Sequence, residues 1–184
     1  MKKTLLFVCV LLTGAIVTSG FFWIDQSKAI AGDRIESRRL NGQIFVRGQI
    51  KLDDVVAIRA AGYRTLINLR PDNEARDQPL ASDIAEAAGR AGLKFTSIPV
   101  RPGTIPEEAV MALTKALQDA DGPVLLYCRS GSRAARTWAL AEASRPGGAT
   151  VDAILDSVRS VGQSADDLKA AINQRIANRP TIPK

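Results

Sequence analysis

The sequence predicts an α/β fold, a single domain in which a mainly parallel central sheet is flanked by helices. Three observations predict it. Short apolar runs such as Thr65-Leu66-Ile67-Asn68-Leu69 and Pro123-Val124-Leu125-Leu126-Tyr127 have the length and composition of buried strands. Stretches with helical apolar spacing separate them, and that alternation favours parallel pairing, with a ligand crevice at the carboxyl ends of the strands. The span 38–180, roughly 140 residues, is enough for one core.

Each element has a local reason. Residues 40–46 carry Asn41-Gly42, the dipeptide of a tight hairpin turn, with Ile44 and Val46 on one strand face. Residues 52–61 read as a helix closed by Gly62. The strand at 65–69 ends at Arg70-Pro71-Asp72, a turn sequence. An alanine-rich helix over 81–91 stops at Gly92, and a strand over 94–100 runs into prolines. Pro106 opens a helix over 106–120 with Glu107 and Glu108 in its first turn. After the strand at 123–127 a helix is expected over 134–144. Two more follow, one begun by Thr150 before Val151 and one by the capping-box-like Ser164-Ala165-Asp166-Asp167. The spacing of Val151, Ile154, Leu155 and Val158 marks these last helices as covering the core.

Ahead of the domain, Lys2 and Lys3 precede an uncharged stretch from Thr4 to Ile24, and Ala29-Ile30-Ala31 offers a small-x-small cleavage signal. The stretch is long for a secretory signal and long enough for a membrane anchor, with Phe21-Phe22-Trp23 at its far end like an interfacial belt. Residues 1–31 are therefore expected to be a signal peptide or an N-terminal anchor, 32–37 a linker, and 38–180 the catalytic domain. Both fates export the domain to the periplasm, tethered to the inner membrane or released.

Composition excludes several chemistries. The chain has no histidine, which removes Ser-His-Asp and Cys-His nucleophilic machinery and histidine acid–base catalysis. Of its two cysteines, Cys9 lies in the N-terminal apolar stretch, so no thiolate metal cluster and no internal disulfide of the domain are expected. No metal and no cofactor are implied. Removing residues 1–31 takes away Lys2, Lys3, Lys28 and Asp25, and the formal charge falls from +6 to +4. That balance suits a small anionic partner or an anionic membrane surface. Nucleic acid is disfavoured, because the arginines are scattered and aromatic residues, at 5%, offer no stacking platform.

The chemistry is expected at Cys128-Arg129-Ser130-Gly131-Ser132-Arg133, which joins the last apolar strand to the helix behind it. A cysteine there meets the positive end of a helix macrodipole, two guanidiniums and a curl of backbone N–H groups, each favouring thiolate over thiol. Cys128 is the candidate nucleophile. Arg133 and the amides of residues 129–133 are the candidate anion cradle, with Arg129, Ser130, Gly131 and Ser132 as binding residues and Gly131 permitting the tight turn. The turn Arg70-Pro71-Asp72 and the loop Arg101-Pro102-Gly103-Thr104 leave strands at the same end and are expected to wall the site, with Arg70 and Asp72 as substrate contacts.

Several segments together resemble a known bacterial family. Val46-Arg47-Gly48-Gln49, Ile67-Asn68-Leu69-Arg70-Pro71-Asp72-Asn73-Glu74, Gln78-Pro79, Ile98-Pro99-Val100 and Tyr127-Cys128-Arg129-Ser130-Gly131-Ser132-Arg133-Ala134 are similar to the phosphatase-like domain of beta-lactamase-hydrolase-like proteins, over roughly residues 38–145. The resemblance implies a fold like that of dual-specificity cysteine phosphatases. Some members are fused to, or encoded near, proteins handling persulfides, so it implies either a phosphatase or a sulfurtransferase.

The residues discriminate between these. A cysteine-phosphatase loop holds five residues between Cys and Arg, whereas here there are four, the spacing of a rhodanese-like loop. A phosphatase also needs a general acid, and residues 101–106 contain no carboxylate. The leading expectation is a cysteine-thiolate enzyme that transfers sulfane sulfur through a Cys128 persulfide. The alternative is a phosphomonoester hydrolase working through a phosphocysteine, with Asp72 as acid and a phosphorylated substrate. A non-catalytic anion-binding or thiol redox-sensing module is the third reading.

Overall fold

The computed structural model describes residues 35–180. The expected leader or anchor at residues 1–31 lies outside the described residues. Among the described residues no helix is long and apolar enough to cross a membrane.

Among the described residues five strands form one sheet: β1 (Arg38–Asn41), β2 (Ile44–Arg47), β3 (Thr65–Asn68), β4 (Lys94–Ser97) and β5 (Val124–Tyr127), in the order β1-β2-β5-β3-β4. Only β1 runs antiparallel, as the first arm of the expected hairpin. The turn sits one residue later than Asn41-Gly42 suggests: Asn41 still pairs with Ile44, and Gly42, at φ +48°, makes the reversal. In the parallel part the strand ends are in register. Arg47 and Asn68 both stand opposite Tyr127, and Asn68 stands opposite Ser97. The segments after residues 47, 68, 97 and 127 therefore leave the sheet side by side at one edge.

Alternation along the strands divides the core into two layers. Leu66, Leu125 and Tyr127 face Val55 and Ile58 of α1 (Asp54–Ala60) and Ile84 and Ala88 of α2 (Ala81–Arg90). Ile67, Val124, Leu126 and Cys128 face the opposite side. There α3 (Glu107–Gln118) supplies Val110 and Leu113, and α4 (Ser132–Ser144) supplies Trp138 and Ala139. The same layer takes in Ile154, Leu155 and Val158 of α5 (Val151–Ser160) and Ile172 of α6 (Lys169–Ala177), so the C-terminal helices do cover the core. Thr150 caps α5, its side chain accepting the Ala153 N–H at 3.4 Å.

Several boundaries differ from the sequence expectation: the strand expected over 94–100 ends at Ser97, the helix expected over 106–120 runs Glu107–Gln118, and at three others the local contacts give the reason. The helix expected from 134 begins at Ser132, because Gly131 at φ +90° turns the chain sharply enough for the first helical turn to start two residues earlier. The helix expected from 52 begins at Asp54, whose carboxylate accepts the Lys51 N–H at 2.9 Å and fixes the turn before it. The segment expected as linker joins the packed domain from Ile35, which is buried in the α1/α2 layer, and the Ser37 and Tyr63 hydroxyls lie 2.6 Å apart.

Candidate active site

Cys128 follows β5 directly, at the sheet edge where β2, β3 and β4 also end. The ladder runs on past the last strand residue, the Leu69 N–H donating to the Tyr127 carbonyl at 2.8 Å, so the base of the cysteine is rigidly placed. Its side chain is fully buried on the α4 side of the sheet.

The backbone of residues 129–131 is held carbonyl-outward. The Arg129 carbonyl accepts the Gln49 N–H at 3.2 Å, and the Ser130 carbonyl accepts Gln163 Nε2 at 3.2 Å. In a trans peptide the N–H points opposite to the carbonyl. Anchoring those two carbonyls outside therefore turns the Ser130 and Gly131 amides toward the inside of the loop. The second of these reaches Cys128, its N–H lying 3.2 Å from Sγ. Two glycines make the packing possible: a Cβ on Gly48 would come within 3.2 Å of the Arg129 carbonyl oxygen, and Gly131 occupies the left-handed region.

Arg133 lies in the first turn of α4 and folds back over the loop. Its Nη1 donates to Glu74 Oε1 at 2.6 Å and to the Val100 carbonyl at 2.7 Å, and its Nη2 donates to Glu74 Oε2 at 2.8 Å. Glu74 secures the arginine's charge most strongly, against the opposing effect of burial, and the Cys128 side chain adds to it. The Glu74 carboxyl is in turn held below the usual carboxylate range, first by Arg133, with burial opposing and Arg70 reinforcing.

Arg70, expected as a substrate contact, is buried, and its Nε donates to Glu74 Oε2 at 2.9 Å and its Nη1 to Gln49 Oε1 at 2.6 Å. Buried Asn68 shapes the turn that carries it, accepting the Arg70 N–H at 2.9 Å and donating to the Arg70 carbonyl at 3.0 Å. Asp72 is exposed, and its Oδ1 accepts the Ala81 N–H at 2.8 Å, at the start of α2. Arg129 and Ser130 are exposed on the rim and Ser132 is half-buried. The second expected wall contributes its preceding residue, through the Val100 carbonyl, while Arg101 is exposed. Glu107 is paired with Arg175 of α6, which holds its carboxyl below the usual range.

Sequence reasoning did not single out Glu74, Gln49 or Gln163. For Glu74 a signal existed, its placement four residues after Arg70 within the Ile67–Glu74 motif. For Gln163, distant in sequence from the loop it touches, there was none.

The sequence and the fold have relatives among known proteins. Residues 36–145 match the family described as "Beta-lactamase hydrolase-like protein, phosphatase-like domain". A beta-lactamase hydrolase-like protein of Xylella fastidiosa is 38% identical over 103 residues, which are 56% of this chain and 24% of that protein. The match thus spans about a quarter of the curated relative's length. Among solved structures, a Neisseria meningitidis protein provisionally called a phosphatase superposes with a TM-score of 0.64 at 27% identity, over 74% of this chain and 96% of its own. Tk-PTP in its active form superposes with a TM-score of 0.62 at 13% identity, over 80% of this chain and 99% of its own. The architecture is that of cysteine phosphatases.

Proposed function

Since the chain belongs to the phosphatase-like domain family of beta-lactamase hydrolase-like proteins, we propose that Cys128 is its nucleophile and that the group it carries is sulfane sulfur, held as a persulfide. One observation carries the choice. The carboxylates of Glu74, Glu107 and Asp72 are each engaged, since Glu74 binds two guanidiniums, Glu107 binds Arg175, and Asp72 is turned to the Ala81 amide. Glu74 and Glu107 are also held below the usual carboxylate range, which keeps them ionised near neutral pH.

Phosphomonoester cleavage expels an alkoxide, which needs a proton from a general acid. Sulfur transfer does not, because sulfite or a thiolate leaves as a stable anion. In the proposed step the Cys128 thiolate attacks the outer sulfur of a donor, the donor's S–S bond breaks, and its electron pair departs with the leaving anion. The terminal sulfur now carries the negative charge. The inward amides of the loop and Arg133 stabilise that charge until an acceptor nucleophile takes the sulfur and restores the thiolate. The four-residue spacing between Cys128 and Arg133 supports the same reading, since a smaller ring suits a sulfur atom better than a phosphoryl group.

A phosphomonoester hydrolase built on Cys128 and Arg133 is the second reading, favoured by the phosphatase architecture. Intact mass of the purified full chain, after separate exposure to thiosulfate and to an aryl phosphate, separates the two. Sulfur transfer predicts a gain of ~32 Da that cyanide removes and that is absent in Cys128→Ser. A trapped adduct of ~80 Da with released phenol would replace it by the phosphatase reading.

A further inference from the structure

An arginine side chain is long and flexible, and freezing it when a ligand arrives lowers affinity. In this fold Arg133 is frozen beforehand. A guanidinium carries five N–H donors. Three are committed here, two from Nη1 to Glu74 and the Val100 carbonyl and one from Nη2 to Glu74. Glu74 occupies the edge formed by Nη1 and Nη2. The Val100 carbonyl takes the outer proton of Nη1. The two remaining donors, on Nε and Nη2, share the third edge and form a fork matched to two oxygens of one anion.

Glu74 is itself braced. Its Oε2 also accepts Arg70 Nε at 2.9 Å, Arg70 Nη1 reaches Gln49 Oε1 at 2.6 Å, and the Gln49 N–H holds the Arg129 carbonyl at 3.2 Å. The chain of contacts begins on Arg133 and returns to the loop that carries Cys128. Arg70 is buried, and Glu74 also neutralises its charge.

We propose that Glu74 is the positioning residue of this site, fixing Arg133 so that its Nε/Nη2 fork faces an oxyanion above Cys128, and that Arg70 braces Glu74 and does not contact substrate. The inference rests on the reading of the loop as an anion cradle. It is independent of whether Cys128 carries sulfur or phosphoryl.

The test reads anion binding without turnover. Inorganic phosphate is titrated against the full-length protein, and its protection of Cys128 from iodoacetamide is followed by intact mass at fixed pH. Glu74→Ala is expected to weaken protection by about tenfold to a hundredfold, the range for losing charge-assisted hydrogen bonds. Arg133→Ala should weaken it at least as much. The double variant should match Arg133→Ala alone, because a positioning residue has nothing left to position. Losses that add would overturn the proposal by showing that Glu74 acts elsewhere, as would full protection in folded Glu74→Ala. If Glu74→Ala fails to fold because Arg70 is left unpaired, Glu74→Gln, which keeps shape and one acceptor, is put through the same cycle with the same criterion. Absence of protection in the wild type would overturn the anion cradle itself, and the positioning role with it.

Discussion

Gly131→Ala isolates what the backbone of the loop contributes. At φ +90° Gly131 sits in the left-handed region, where an L side chain costs roughly 1–2 kcal/mol. Space is not the obstacle: a Cβ there would meet the Arg47 carbonyl oxygen and Val46 Cγ2 at 3.5 Å, ordinary van der Waals distances. The cost is therefore torsional. On a domain of this size it should lower the melting temperature by about 2–8 °C.

The larger effect is expected in chemistry. The strain is relieved by rotating the 130–131 peptide, which moves the Gly131 N–H away from Cys128 Sγ, 3.2 Å distant in the relaxed loop. Losing one preorganised donor to a developing anion typically costs about 100- to 1000-fold in rate. The assay is Cys128-dependent transfer of sulfur from thiosulfate to cyanide, run well below the variant's melting temperature, beside a thermal unfolding curve. Gly48→Ala is the control. There φ is unstrained, but the added Cβ lies 3.2 Å from the Arg129 carbonyl, so a shift of a few tenths of an ångström should give a smaller loss. A Gly131→Ala protein with wild-type rate would refute the claim that this amide stabilises the sulfur anion.

Two further outcomes follow. Asp72→Asn should leave the transfer rate within about twofold and cost about 0.5–1 kcal/mol in unfolding free energy, since the carboxylate is turned to the α2 N-terminus; a collapse of activity with a changed pH profile would mark Asp72 as an acid instead. Gln163→Ala removes the exposed bond to the Ser130 carbonyl, and a several-fold lower rate with stability within about 0.5 kcal/mol is expected, as for surface substitutions. An unchanged rate would show that the Gln49 amide alone orients the loop.

The parts legible in the sequence are those whose cause is local. Residues 65–69 and 123–127 read as buried strands because both faces of the sheet are covered, which leaves near-continuous apolar runs. Glycines at 62 and 92 mark helix ends because each takes a positive φ. The nucleophile loop is equally legible, since strand, cysteine and helix start are contiguous. Glu74 is not. Its partner Arg133 is 59 residues away, and the two meet only because β3 and β5 pair in parallel with Asn68 opposite Tyr127. From the sequence alone, Arg70 and Glu74 form an i,i+4 pair of the kind usually found on a surface. The fold buries the arginine and lends the carboxylate to a second one.

That loan bears on why one architecture can serve two chemistries. A thiolate at the base of an amide loop, beside a fixed guanidinium, stabilises negative charge on whatever group it receives. Phosphoryl and sulfane-sulfur transfer differ in what leaves: an alkoxide must be protonated as it departs, whereas sulfite or a thiolate need not be. A carboxylate near such a loop can donate a proton or hold the arginine in place, and these roles oppose each other, because a guanidinium partner lowers the carboxyl's proton affinity. In this chain Glu74 is committed to holding the arginine, since both its oxygens accept from the Arg133 guanidinium. On the proposed reading the site keeps an anion rather than protonating a leaving group. That is the ground on which a persulfide is proposed over a phosphocysteine.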